Sequence, residues 1–151
     1  MEKQIDFYFD LVSPYSYIAS MLIEDVARRG NAKVSWKPFL LGGVFKAVGT
    51  TEAPGLHPIK KPYLLKDLQR LSKHLKIPIT MPPDFPVRTV LAMRTLCGFN
   101  ADEIPQAAQT LYKAYWVNNQ DIADPEVVAS LVGGDAVERA GMQEIKDSLF
   151  Q

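Results

Sequence analysis

Two serines, Ser13 and Ser16, flank Pro14-Tyr15 in the stretch Phe9-Asp10-Leu11-Val12-Ser13-Pro14-Tyr15-Ser16-Tyr17. The stretch lies where an alternating apolar segment gives way to a helical pattern, so both hydroxyls fall at a strand-to-helix turn. A dithiol redox centre places Cys-x-x-Cys on such a turn, where the helix N-terminus lowers the pKa of the first thiol. With hydroxyls in place of both sulfurs, dithiol chemistry is excluded there. What remains is an anion-stabilising helix end and a Ser13 hydroxyl able to donate to a thiolate brought in on a cofactor. Ser13 also suits a plain N-cap, with Pro14 at the first helical position. Local physics does not separate these two roles.

Few other residues offer chemistry. Cys97 is the one cysteine, which excludes an internal disulfide, a Cys-x-x-Cys pair and a multi-cysteine metal site. No basic cluster adjoins it, and it reads as buried packing. A reduced, cytoplasmic compartment is the simplest inference. His57 and His74 have no partner at metal-ligand spacing and read as loop or surface positions. Seventeen Lys and Arg balance seventeen Asp and Glu, which argues against a nucleic-acid binder held mainly by phosphate contacts. The apolar runs are too short to span a bilayer, and no apolar signal core follows Met1-Glu2-Lys3-Gln4. With 151 residues, 47% hydrophobic and 23% charged, the chain has the balance of a soluble globular protein with a sizeable core.

The elements that must hold the serine turn follow from periodicity. Gln4 to Asp10 alternates, with Ile5, Phe7 and Phe9 on one face and Asp6, Tyr8 and Asp10 on the other, which predicts a strand. From Ser13 a helix is expected to about Arg29, its stripe formed by Ile18, Leu22 and Val26, with Gly30-Asn31 as the stop. Ala32 to Leu40 reads as a second strand that ends, or lies on an edge, at Pro38. Together these form a βαβ unit with parallel strands. Everything afterwards reads as helical. Stripes run through Leu64, Leu68, Leu71 and Leu75, through Ile104, Ala108, Leu111 and Tyr115, and through Met142, Ile145 and Leu149. A shorter helix is expected over Thr89 to Gly98, and Asp124-Pro125 starts another. Two strands alone make a poor sheet, so the pattern looks like an α/β domain without its remaining strands.

Phe9-Asp10-Leu11-Val12-Ser13-Pro14-Tyr15-Ser16-Tyr17 resembles the N-terminal signature of the 2-hydroxychromene-2-carboxylate isomerases. These are relatives of the kappa-class glutathione transferases within the DsbA-like branch of thioredoxin folds. Further segments fall in that family's order: Pro38-Phe39-Leu40-Leu41-Gly42-Gly43-Val44-Phe45-Lys46, Pro54-Gly55, the Lys60, Tyr63, Asp67-Leu68 and Arg70 spacing, Phe85-Pro86, Leu91-Ala92-Met93-Arg94, and Tyr115-Trp116 with Asp121-Ile122. The resemblance implies an α/β fold in which a thioredoxin-like βαβ part, residues 1–45, carries a large helical insertion and the start of a return helix, residues 46–151. It implies glutathione as cofactor. Ser13 would hydrogen-bond its sulfur, Pro14 and Tyr15 would line its site, and Lys46 and Lys60 would meet a carboxylate of glutathione or substrate. Reaction would be isomerisation of a small aromatic carboxylate such as 2-hydroxychromene-2-carboxylate; the alternatives are a kappa-type transferase and a non-catalytic interaction module. Tyr17 leans toward the isomerase side. Trp116 is the expected aromatic wall for the substrate and Tyr115 a core residue. Neither nucleic acid nor membrane is expected as a partner, and a homodimer is possible.

Departures from the family pattern bear on specificity. Thr50 stands where kappa-class relatives carry asparagine, and it supplies one donor where an amide supplies two. Arg88 replaces an asparagine of many isomerases, which fits either a substrate choice shifted toward a more acidic ligand or drift in a protein that no longer catalyses. The family's final two strands and helix, with a cis-proline turn that pairs with glutathione, have no counterpart after Met142. From the hydroxyl pair we expect insulin reduction to stay at background, with or without dithiothreitol, and Cys97→Ser to leave any glutathione-dependent activity intact. A large loss in a folded Cys97→Ser variant would place the sulfur chemistry at that thiol instead.

Overall fold

The computed structural model describes residues 3–50 and 53–149; Met1, Glu2, Thr51, Glu52, Phe150 and Gln151 lie outside it. Strand β1 (Lys3–Phe9) buries Phe9 and half-buries Ile5 and Phe7, and it leaves Tyr8 61% exposed, as the alternation requires. It pairs in parallel with β2 (Ala32–Pro38), with Phe7 opposite Trp36 and Phe9 opposite Pro38. Proline has no N–H for a ladder, and β2 ends at Pro38. On the covered face Trp36 meets Phe7 edge to face at 4.9 Å and Phe9 at 5.3 Å. These are favourable arrangements for ring quadrupoles.

The long helix expected after Ser13 is two helices, α1 (Pro14–Ser20) and α2 (Ile23–Arg29). Ser20 is the cause visible in the structure. Its hydroxyl is buried and donates to the carbonyl of Tyr17 at 2.7 Å. The Met21 N–H is then split between Tyr17 and Ile18, and Leu22 N–H turns back to Ala19. A serine bonded into its own preceding turn competes with the helix ladder and bends it. The break corrects the expected stripe. Ile18 is buried, but Leu22 and Val26 are 36% and 45% exposed, and Ala27 is the buried residue of α2. Asn31, in the left-handed region at φ 50°, carries the chain from α2 into β2.

Helix α3 (Leu41–Ala47) follows β2 directly, and α4 (Lys60–Leu75) buries Leu68 with Leu64, Leu71 and Leu75 packed beside it. Helix α5 (Val90–Cys97) lies within the stretch the sequence predicts. Helix α6 (Ile104–Trp116) is the central post of the core, with Ala108, Leu111, Tyr112 and Tyr115 buried along its stripe. Helix α7 (Pro125–Val132) starts as expected, Asp124 accepting from the Glu126 N–H at 2.8 Å. Helices α8 (Gly134–Arg139) and α9 (Gln143–Ser148) complete the described chain. The last stripe is only partly realised: Leu149 is buried, whereas Met142 stands before α9 and is exposed. No helix among the described residues is long and apolar enough to cross a membrane.

Trp116 ties this core to the β1–α1 turn. It is fully buried and donates from Nε1 to the Leu11 carbonyl at 2.9 Å, while its ring stacks on Tyr17 at 11°. Trp116→Phe leaves that buried carbonyl without its donor and opens a void. We expect a loss of about 2–4 kcal/mol in urea unfolding at unchanged m-value.

Candidate functional site

The site is built on a buried carboxylate. Asp10 follows the last residue of β1 and is 2% exposed. One oxygen, Oδ1, accepts from the Val12 N–H at 3.1 Å and from the Thr89 hydroxyl at 2.7 Å. The other, Oδ2, accepts from the Leu41 N–H at 2.9 Å. The Asp10 carbonyl accepts from Ser13 N–H at 3.0 Å and from the Tyr112 hydroxyl at 3.3 Å. This single residue therefore fixes the β1–α1 turn, the start of α3 and the start of α5 relative to one another. Burial pushes its carboxyl above the usual range, opposed by the three donors. The alternation of β1 would turn Asp10 outward with Tyr8; the strand ends at Phe9, the chain turns, and the side chain goes inward instead.

Ser13 sits on the turn so fixed. It is the N-cap of α1, with Oγ accepting from the Ser16 N–H at 3.2 Å. Capping occupies a lone pair and leaves the hydroxyl hydrogen available, and that hydrogen has no acceptor among the described residues. Ser13 lines a cleft of about 510 Å³, a size that suits a drug-like or tripeptide ligand. Ser16 does not line it; its hydroxyl lies beside that of Tyr112 in the core. The two serines thus have separate tasks despite their matching positions in the motif.

The cleft walls come from five segments, one of them Leu64 of α4. Pro14 and Tyr15 form one side, Leu40 to Gly43 with Phe45 a second, Pro54 to Leu56 a third, and Phe85 to Val90 the fourth. Most of this surface is apolar. Tyr15 donates to Asp67 of α4 at 2.7 Å. Burial and the Asp67 carboxylate push its phenol up to about 12, so it remains a donor at neutral pH. Gly55 allows the Phe85 ring to close the wall, since a Cβ there would lie 2.7 Å from the ring. The Phe85–Pro86 peptide is cis.

Of the residues singled out in the sequence, Ser13, Pro14, Tyr15 and Arg88 line the cleft. Lys46, Thr50 and Lys60 are exposed and are not among its lining residues. Trp116 is a correction. It is core rather than wall, packing behind Phe85 at 5.9 Å between ring centres. Phe85, in front of it, lines the cleft together with Tyr15 and Phe45. Tyr115 is core as expected, its hydroxyl accepting from Val87 N–H at 3.2 Å. His57 lies two residues before the N-cap of α4, with Nδ1 accepting from the Ile59 and Lys60 N–H groups. Cys97 is half-buried, and burial pushes its thiol up.

Sequence reasoning missed Asp10, Thr89 and Phe85. The signal for Asp10 was its place just before a turn whose backbone N–H groups need acceptors. Asp10→Asn puts an NH2 group where one of these donors now finds oxygen. We expect a loss of about 1–3 kcal/mol in chemical denaturation, and about 1 kcal/mol for Thr89→Val, which removes one donor. Near-wild-type stability of Asp10→Asn would mean the carboxylate is not the junction it appears from its contacts.

Comparison with known proteins agrees with this geometry. The chain is 30% identical over 150 residues to human glutathione S-transferase kappa 1, covering 94% of this chain and 64% of that protein. It is 33% identical over 86 residues to 2-hydroxychromene-2-carboxylate isomerase of Sphingobium xenophagum, covering 56% of this chain and 44% of that one. The chain thus spans less than two thirds of the length of these relatives. A solved 2-hydroxychromene-2-carboxylate isomerase superposes with a TM-score of 0.83 at 21% identity, covering 97% of this chain and 75% of that one. Residues 4–148 match the DSBA-like thioredoxin domain. With the parallel βαβ unit, the Ser-Pro-Tyr-Ser turn and the helices that wall the cleft, this match places the chain in the DSBA-like thioredoxin family.

Proposed function

We propose that the chain is the glutathione-binding, substrate-walling part of a glutathione-dependent isomerase acting on a small aromatic enone acid of the 2-hydroxychromene-2-carboxylate kind. The observation that carries this reading is the Ser13 hydroxyl. It is held by its own cap, has a hydrogen to donate, and borders an apolar cleft. A donor preorganised in such surroundings stabilises an anion more than water-exposed donors do, because less solvent competes. The glutathione thiol placed against it would lose its proton more readily.

The reaction then needs little else from the protein. The thiolate adds to the conjugated enone, the former double bond rotates as a single bond, and elimination restores thiolate and product. No electrons are gained or lost overall, so a dithiol is not required. The substrate ring has Phe45, Phe85 and Val87 as apolar partners, and its carboxylate has Arg88. Lys46, next to the lining residue Phe45, and Lys60 at the start of α4 are left for the carboxylates of glutathione.

A second reading, a kappa-type transferase, is favoured by the longer match to the human transferase than to the isomerase. In that case the same thiolate attacks an electrophile and leaves with it. The two differ in whether glutathione is regenerated, which mass spectrometry of the thiol after turnover decides.

Ser13→Ala tests the shared step. We expect a rate loss on the order of a hundredfold with glutathione affinity nearly kept. The bound thiol's pKa, read from thiolate absorbance, should rise, moving the acid limb of the pH–rate profile to higher pH. Ser16→Ala should cost far less, since its hydroxyl faces Tyr112. Equal, near-wild-type rates for both variants would remove Ser13 from the chemistry.

A further inference from the structure

A second cavity, of about 360 Å³, lies between α5, the segment around Ala123, and helices α8 and α9. Its charged lining is all of one sign: Arg88, Arg94 and Lys146, with no Asp or Glu among the lining residues. The rest of the wall is apolar and includes Leu91, Ala123 and Val137. Like charges gathered in one hollow repel, and an arrangement of this kind is stabilised when an anion occupies it.

Arg94 is half-buried at this wall, and its Nε is buried with no hydrogen-bond partner among the described residues. A guanidinium partly withdrawn from water and without a counter-charge gains from an anion at its remaining donors. None of the three cations takes part in an ion pair there; the described ion pairs are those of Arg28 and Arg29 with Asp25. Arginine's planar fork of donors matches the paired oxygens of a carboxylate or phosphate.

The geometry points to a binding site for a small oxyanion in this cavity, held by Arg94 and Lys146 with Arg88 on the wall shared with the main cleft. The cavity adjoins the Ser13 cleft through Arg88 and Val90, which line both, while Arg94 and Lys146 belong to the second cavity alone, and the inference does not rest on the glutathione reading. Its ligand is a carboxylate or phosphate group on a small molecule. The apolar wall favours a carboxylate carried on an apolar body.

The test is an amide-shift titration of the isotope-labelled chain by NMR, with benzoate in one arm and inorganic phosphate in the other. We expect saturable shifts at Leu91, Val137 and Ala140, which line the second cavity and not the Ser13 cleft, whether or not Ser13, Tyr15 and Gly43 also move. Lys146→Gln should weaken binding about tenfold, the loss of one charge-assisted contact. Arg94→Lys, which keeps the charge but loses the fork, should weaken it at least as much. Tighter benzoate assigns an organic carboxylate, and tighter phosphate assigns a phosphoryl ligand; either supports the site. Lys146→Gln remains informative if Arg94→Lys fails to fold. Absence of shifts around the second cavity, shifts confined to the Ser13 cleft, or unchanged affinity in a folded Lys146→Gln would overturn it.

Discussion

A carboxylate removed from water needs donors, and Asp10 finds three of them on three different segments. That requirement shapes the site more than any apolar contact does. Hydrophobic burial is tolerant of small slides between elements, whereas hydrogen bonds to a carboxylate in low dielectric are not. Leu41 must bring its N–H to Oδ2, which sets where α3 begins. Thr89 must bring its hydroxyl to Oδ1, which sets where α5 begins. The cleft is the space left between elements positioned in this way. Ser13, three residues beyond Asp10 and bonded back to its carbonyl, is presented to that space by the same constraint.

The serine turn illustrates how one side chain can hold two positions in an argument about function. Capping and donating are often treated as rival explanations for a serine before a helix. Here they use different parts of the hydroxyl, the lone pair for Ser16 N–H and the hydrogen for whatever occupies the cleft. The cap fixes the oxygen and so lowers the reorganisation needed when an anion arrives. Ser16 turns its hydroxyl toward Tyr112, on the core side of the turn.

Much of this was legible in the sequence, for identifiable reasons. The alternation of Ile5, Phe7 and Phe9 revealed β1 and its buried face, because period two has one physical meaning in a half-buried strand. Asp124-Pro125 revealed a helix start because the cap and the missing N–H are both local. The break after Ser20 was not legible, since a serine bends a helix only when its hydroxyl turns back onto the preceding carbonyl. Trp116 fell off the periodic stripe and so read as a wall residue. The β1–α1 turn folds over that side of α6, which no pattern within α6 could reveal. Asp10 followed the rhythm of its strand, and only the end of the strand reversed it. Lys46, Thr50 and Lys60 were placed by resemblance alone, and no feature of their local sequence fixes where their side chains reach.

The polar ties on residues 10–17 come from far along the chain. Tyr17 reaches Pro78 across 61 positions, Thr89 reaches Asp10 across 79, and Trp116 reaches Leu11 across 105. Closing such long loops is entropically costly, and contacts of this separation form late in folding. A chain that has made only its local helices therefore has the Ser13 cap but no cleft beside it. In the native state the reverse holds. The turn cannot loosen by itself without releasing bonds that hold α4, α5 and α6 together. Its amide protons should then exchange with solvent through global unfolding rather than local fraying. The segment carrying the candidate chemistry is thus among the most firmly anchored in the molecule, unlike a mobile active-site loop.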